Sequence, residues 1–126
     1  MDWRIAPEAP IYSQLARQIR LRIVAGEYAP GERLPPVREL AVSAGVNPNT
    51  MQRAMAALER EGLVFPLRTA GRFVTEDAEL IAQARENLAR EETDKYFSEM
   101  SALGCSPGEI LRLVSGRAEE DENAEF

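Results

Sequence analysis

The chain contains no histidine, a single cysteine (Cys105), and no lysine before residue 76. Without histidine, neither a Ser-His nor a Cys-His catalytic pair can form within it. Zinc sites built from Cys and His are excluded. One cysteine cannot close an intramolecular disulfide. Cys105 is expected to be a small buried apolar residue, the alternative being a redox or intersubunit role. No run approaches the roughly 18 apolar residues of a membrane span. The opening Met1-Asp2-Trp3-Arg4 lacks the basic-then-apolar order of a secretory signal, so the expected compartment is the cytoplasm. No metal and no cofactor is expected, and an enzyme is the least favoured class. Adjacent carboxylates such as Glu91 and Glu92 diverge on a helix and suit solvation better than acid-base work.

What is present fits one domain with an appendage: 126 residues, 44% hydrophobic and 29% charged. The formal net charge of −6 disfavours a polyanionic partner until the charges are located. From Met1 to Thr75 there are ten arginines and seven acids, a net of +3. From Glu76 to Phe126 there are five basic residues and fourteen acids, a net of −9. The first part can face a polyanion while the second faces away and helps to orient it. Two solvated surfaces of differing composition are the plain alternative.

The stretch from Pro10 to Ala25 reads as a helix, with Ile11, Leu15, Ile19 and Ile23 recurring every four residues and Tyr12, Ala16 and Val24 widening the stripe. Glu27-Tyr28-Ala29-Pro30-Gly31-Glu32 is turn chemistry. A second helix starts near Pro36 and ends before Gly45. Asn47-Pro48 opens a third, with Asn47 as the cap. Met51, Ala54, Met55 and Leu58 form its buried stripe and Gly62 closes it. Two short helices around a tight Gly turn make a helix-turn-helix. Leu63-Val64-Phe65-Pro66 and Phe73-Val74-Thr75 pair as a hairpin, or wing, around a loop from Leu67 to Arg72.

One long helix is expected from Asp77 to about Leu103, with a kink or an exposed section at Glu91-Glu92-Thr93-Asp94-Lys95. Ser106-Pro107-Gly108-Glu109 is a capping box that opens a short last helix. The fold class is thus mainly α with a small β-hairpin wing. Residues 1–75 are expected to form a winged helix-turn-helix domain, residues 76–117 a two-helix tail, and residues 118–126 an acidic disordered end.

The face of the third helix opposite its core stripe carries Asn49, Gln52, Arg53, Ala56 and Arg60. Gln and Asn can pair bidentately with adenine, and Arg with guanine. Asn47, Asn49 and Thr50 sit at the helix start, where free backbone N–H groups and the dipole favour phosphate. Arg38 lies in the first turn of the second helix, where its charge opposes the dipole, so a phosphate or base contact would explain it. Arg68, Gly71 and Arg72 form a wing tip suited to a minor groove. The competing readings are a solvated helix face, an ion pair of Arg38 with an acid, and a plain hairpin.

These residues resemble the GntR family of bacterial transcription regulators. The resemblance runs through Pro10-Ile11-Tyr12-Ser13-Gln14, then Pro30-Gly31-Glu32-Arg33-Leu34-Pro35-Pro36-Val37-Arg38-Glu39-Leu40-Ala41. It continues through Val46-Asn47-Pro48-Asn49-Thr50 and Leu58-Glu59-Arg60-Glu61-Gly62-Leu63 to Gly71-Arg72-Phe73-Val74. It implies DNA contact by Arg38, by Asn47, Asn49, Thr50 and Gln52 at the start of the reading helix, and by Gly71 of the wing. Pro36 stands where the family often has serine, and Arg68-Thr69-Ala70-Gly71 where it often has Arg-Gly-x-Gly. The short tail resembles the YtrA subgroup, which implies dimerisation, repression and a link to transporter operons.

A homodimer on a palindromic operator is the expected assembly, with half-sites about 34 Å apart. Leu80, Ile81, Ala84 and Leu88, then Tyr96, Phe97, Met100 and Leu103, are the expected dimerisation stripe, unless the tail folds back on its own winged domain. The partners are double-stranded DNA and a second copy, with no membrane. The alternative is an effector-responsive regulator with a small ligand near Tyr96, Phe97 and Met100, residues that at helical spacing also suit plain core. A protein-interaction adaptor is disfavoured by Gln52 and Arg53.

Overall fold

The computed structural model describes residues 2–124. The order is α1 (Ile11–Val24), α2 (Val37–Ala44), α3 (Pro48–Arg60), β1 (Val64–Leu67), β2 (Gly71–Val74), α4 (Ala78–Ala102) and α5 (Pro107–Ala124). The chain divides into two compact units, Met1–Glu86 and Asn87–Phe126, so α4 runs from one into the other. No helix of the described residues is long and apolar enough to cross a membrane.

In the first unit, α1 packs on α3, α2 packs on α3, and α3 leads into β1. Leu15, Ala16, Ile19 and Ile23 of α1 face Leu40 and Ala41 of α2 and Met51, Ala54, Met55 and Leu58 of α3 in one buried cluster. Ile11, the first member of the α1 stripe, stays 45% exposed. Burying such large aliphatic side chains contributes about 1.5–3 kcal/mol each. The turn between α2 and α3 closes as a Schellman motif: Gly45, at φ +69°, donates to the Val42 carbonyl and Val46 donates to Ala41. Arg20 of α1 adds a two-pronged bond to the Glu61 carboxylate, at 3.0 and 2.5 Å.

The hairpin is antiparallel, with Val64 opposite Val74 and Leu67 opposite Gly71. It reaches further toward its tip than the sequence suggests, because Leu67, Gly71 and Arg72 pair and the loop shortens to Arg68-Thr69-Ala70. The segment before α2 lies along β2 as a third strand-like edge. Gly31 donates to Val74, Val74 to Glu32, and Leu34 to the Arg72 carbonyl, each at 2.9 Å. Period-two alternation then buries Leu34 and turns Arg33 outward.

Two glutamines fasten the N-terminal strap to α1. Gln18 accepts from the Arg4 N–H and donates to its carbonyl, and Gln14 does the same for Ala6. Four helical residues rise about 6 Å and two extended ones span about 6.6 Å, so the two spacings match.

Two expectations are corrected. Leu80, Ile81 and Ala84 pack against the core of the first unit and are not an open dimerisation stripe. Helix α4 starts four residues after β2, so its first two turns stay within reach of that cluster, with Leu80 Cδ2 3.2 Å from where a Cβ on Gly62 would sit. The acidic end is also helical as far as Ala124, not disordered; Glu125 and Phe126 lie outside the described residues. Glu and Ala favour the helix, an Arg117–Asp121 pair of 2.5 Å bridges one turn, and Gly116 costs only about 1 kcal/mol in its interior.

In the second unit α4 runs unbroken through Glu91 to Lys95, all exposed, so the polar interruption is a solvated section of a continuous helix. Leu88 and Ile110 are buried. Tyr96, Phe97, Leu103, Leu111, Leu113 and Val114 are exposed, and Met100 and Cys105 are half-buried.

Candidate nucleic-acid interface

Helix α3 begins as its sequence demands. Asn47 accepts the Asn49 N–H through its side-chain oxygen at 2.8 Å, and Pro48 occupies the first helical position. The cap uses the amides expected to be free for phosphate. Asn49 donates to Asn47 Oδ1, Thr50 and Met51 donate to the Asn47 carbonyl, and proline has no N–H. The polar groups left at this end of α3 are therefore the side chains of Asn49 and Thr50. With its oxygen committed to the cap, Asn47 retains only its amide NH₂ as a donor.

With Met51, Ala54, Met55 and Leu58 wholly buried, the opposite face of α3 is turned outward. Asn49, Gln52, Arg53 and Arg60 are exposed, and Ala56 is half-buried. Successive residues on a helix diverge by about 100°, and so Gln52 and Arg53 serve different flanks.

On one flank, Asn49, Thr50 and Arg53 line a cavity of about 390 Å³ with Pro10, Ile11 and Tyr12 of the α1 start. The Arg53 guanidinium carbon lies 3.9 Å over the centroid of the Tyr12 ring. On the other flank, Gln52 shares a cavity of about 230 Å³ with Gly71, Arg72 and Arg33, and with Leu34 to Val37 ahead of α2. Arg38 and Arg68 line neither cavity; both are exposed, in the first turn of α2 and at the wing tip.

The wing departs from its expected charge. Arg72 Nε donates to Glu59 of α3 at 2.5 Å, with both side chains mostly covered. That bond ties the wing to the reading helix and cancels the arginine charge, so Arg72 is a brace and not an open cation. Arg33 supplies a charge at this place. A Cβ added to Gly71 would meet Arg33 Nε at 3.0 Å, so the arginine lies across a position that only glycine leaves clear. Gly71 also has φ +104°, a backbone angle that glycine adopts without strain. The sequence reading missed Tyr12, Arg33 and Glu59. The helical spacing marks Tyr12 only as a stripe residue, Arg33 stands in the resemblance with no role of its own, and nothing in the spacing links Glu59 to Arg72.

A short helix, a capped helix with a polar outer face and a bracing hairpin define a winged helix-turn-helix, the architecture of DNA-reading proteins. Residues 11–74 match the family model described as bacterial regulatory proteins, gntR family. The HTH-type transcriptional regulator YhcF of Bacillus subtilis is 40% identical over 114 residues, covering 90% of this chain and 94% of that one. The HTH-type transcriptional repressor YtrA of the same species is 44% identical over 69 residues, 55% of this chain and 53% of the repressor. A solved GntR family transcriptional regulator from Listeria monocytogenes superposes with a TM-score of 0.80 at 38% identity, covering 89% of this chain and 98% of that one. The chain belongs to the GntR family and is a DNA-binding transcriptional regulator.

Proposed function

We propose that the protein is a homodimeric repressor that occupies a palindromic operator and blocks polymerase. The observation that carries this reading is the outer face of α3, where Asn49, Gln52 and Arg53 stand exposed above a wholly buried apolar stripe. Gln52 and Arg53 read base edges, with bidentate pairing to adenine and guanine. Arg38, Asn47, Asn49, Thr50 and Arg68 grip the backbone, joined by Arg33. Arg72, with Gly71 beside the wing loop, sets the wing and leaves the charge contact to its neighbours. Repression is supported by the similarity to the YtrA repressor. Pairing of two copies is supported by the exposed apolar side chains of the second unit.

Fluorescence anisotropy with DNA from upstream of the gene tests the reading. Affinity should fall steeply with salt, as counterion release requires. Arg38→Ala should weaken all sequences alike. Gln52→Ala should weaken chiefly the operator, by about 1–3 kcal/mol. Equal losses of Gln52→Ala on operator and random DNA would refute base reading by this face.

A further inference from the structure

We infer that Tyr12 of α1 is a positioning residue for sequence discrimination, acting by holding the Arg53 guanidinium ready for a guanine edge. The inference rests on the proposed base reading by α3.

Three arginines beside α3 are held in two different ways. Arg20 and Arg72 are held by carboxylates, Glu61 and Glu59. A carboxylate binds the in-plane N–H edge of a guanidinium and cancels its charge. Arg53 is held by a ring, with its central carbon 3.9 Å over the Tyr12 centroid and no ion pair among the described residues. At that separation the guanidinium lies against the ring face. A cation–π contact made through the guanidinium face leaves the in-plane N–H donors uncommitted and the charge intact. Recognition of guanine O6 and N7 needs that in-plane fork. The stack therefore restrains the side chain without consuming the groups that read DNA.

The platform is itself fixed. Tyr12 is half-buried and packs against the core of the first unit. Its ring forms one wall of the cavity shared with Asn49 and Thr50, on the exposed flank of α3. An arginine ordered before binding loses less rotamer freedom on binding, and that gain applies only where its fork finds a partner. The advantage falls on cognate DNA, so Tyr12 governs specificity and not general affinity.

The test uses the full chain, a duplex carrying the palindrome the protein itself selects from a random-sequence library, and a scrambled duplex of equal length. Anisotropy is measured for the parent, Tyr12→Phe, Tyr12→Leu, Arg53→Ala, and the double variant Tyr12→Leu/Arg53→Ala. Tyr12→Leu should lower affinity for the palindrome about three- to tenfold, the strength of a partly shielded cation–π contact. It should leave the scrambled duplex unchanged, which also shows that the head is folded. Tyr12→Phe keeps the ring and should stay within about twofold of the parent. In the Arg53→Ala background, Tyr12→Leu should cost nothing more, since a residue that acts through another shows full coupling. Equal losses on both duplexes, a Tyr12→Phe loss as large as that of Tyr12→Leu, or additive losses in the double variant would each overturn the inference. If Arg53→Ala is selective and Tyr12→Leu is not, base reading stands and only this inference falls. If Arg53→Ala is itself unselective, this inference falls, and base reading by α3 falls with it only where Gln52→Ala is unselective as well.

Discussion

Thr69 adopts φ +64°, a left-handed backbone in which a β-branched residue is strained. It occupies the middle of the three-residue wing loop, closed by the Ala70 N–H donating to the Leu67 carbonyl at 3.1 Å. The GntR resemblance places glycine at this position, so the chain meets the turn's demand with an unsuitable residue. The strain costs roughly 1–2 kcal/mol, and the entropy glycine would lose offsets roughly half of that. Thr69→Gly is therefore expected to raise stability by about 0.5–1 kcal/mol in chemical denaturation. A lower denaturation midpoint would show that the Thr69 hydroxyl, which donates to the Arg68 carbonyl at 2.6 Å, outweighs the strain. The opposite change at the far end of the loop, Gly71→Ala, should destabilise, because it adds the same strain and crowds Arg33.

At the scale of elements, α5 opens with a reciprocal cap. The Glu109 N–H donates to Ser106 Oγ and the Ser106 N–H donates to the Glu109 carboxylate, both at 3.2 Å. The Ser106 backbone bond, helped by the serine side chain, holds the Glu109 pKa below its usual range. A carboxylate whose folded pKa lies below its unfolded value adds stability that is full above the unfolded value and vanishes as pH falls through the lowered one. Helical circular dichroism titrated from neutral to acid should lose signal through the acidic side of the carboxylate range. Glu109→Gln keeps an acceptor and removes the titration, so the parent-minus-variant difference should carry that limb; identical acid curves would remove Glu109 as its source. The cap was legible in the sequence, and so was the start of α3, because Ser-Pro-x-Glu and Asn-Pro act within one turn. The α3 stripe was equally legible, since its period is set by the helix itself. Glu59 on Arg72, Tyr12 under Arg53, and Leu80, Ile81 and Ala84 on the core were not. The two pairs join residues 13 and 41 positions apart, and all of these contacts exist only once the elements have packed. The helical run past Gly116 was missed for another reason: its composition matches disorder, whereas helix propensity and one i,i+4 pair favour the helix.

For the whole molecule, the charge of −6 averages a +3 portion that ends at Thr75 and a −9 portion that follows it. The acidic portion is also where apolar side chains remain uncovered: Tyr96, Phe97, Leu103, Leu111, Leu113 and Val114 are each more than a third exposed. A surface both strongly acidic and apolar is poorly suited to DNA and well suited to a protein partner that covers its apolar part. The partner under the proposed function is a second copy, and the six residues are its expected interface. They replace the N-terminal half of the stripe, which the first unit's core already uses. Because these side chains are exposed in the single chain, the double variant Phe97→Glu/Leu111→Glu should leave each head folded and yet oppose pairing. Light scattering at micromolar concentration should report a dimer for the parent and a monomer for the double variant. Loss of the second head should cut affinity for a two-half-site palindrome about 10²- to 10⁴-fold, the range linkage of two sites commonly provides. Affinity for an isolated half-site should not change, because its contacts come from one head. A monomeric parent, or a charged double variant that remains dimeric, would move the interface elsewhere. Equal losses on palindrome and half-site would mean instead that the substitutions had damaged the head itself.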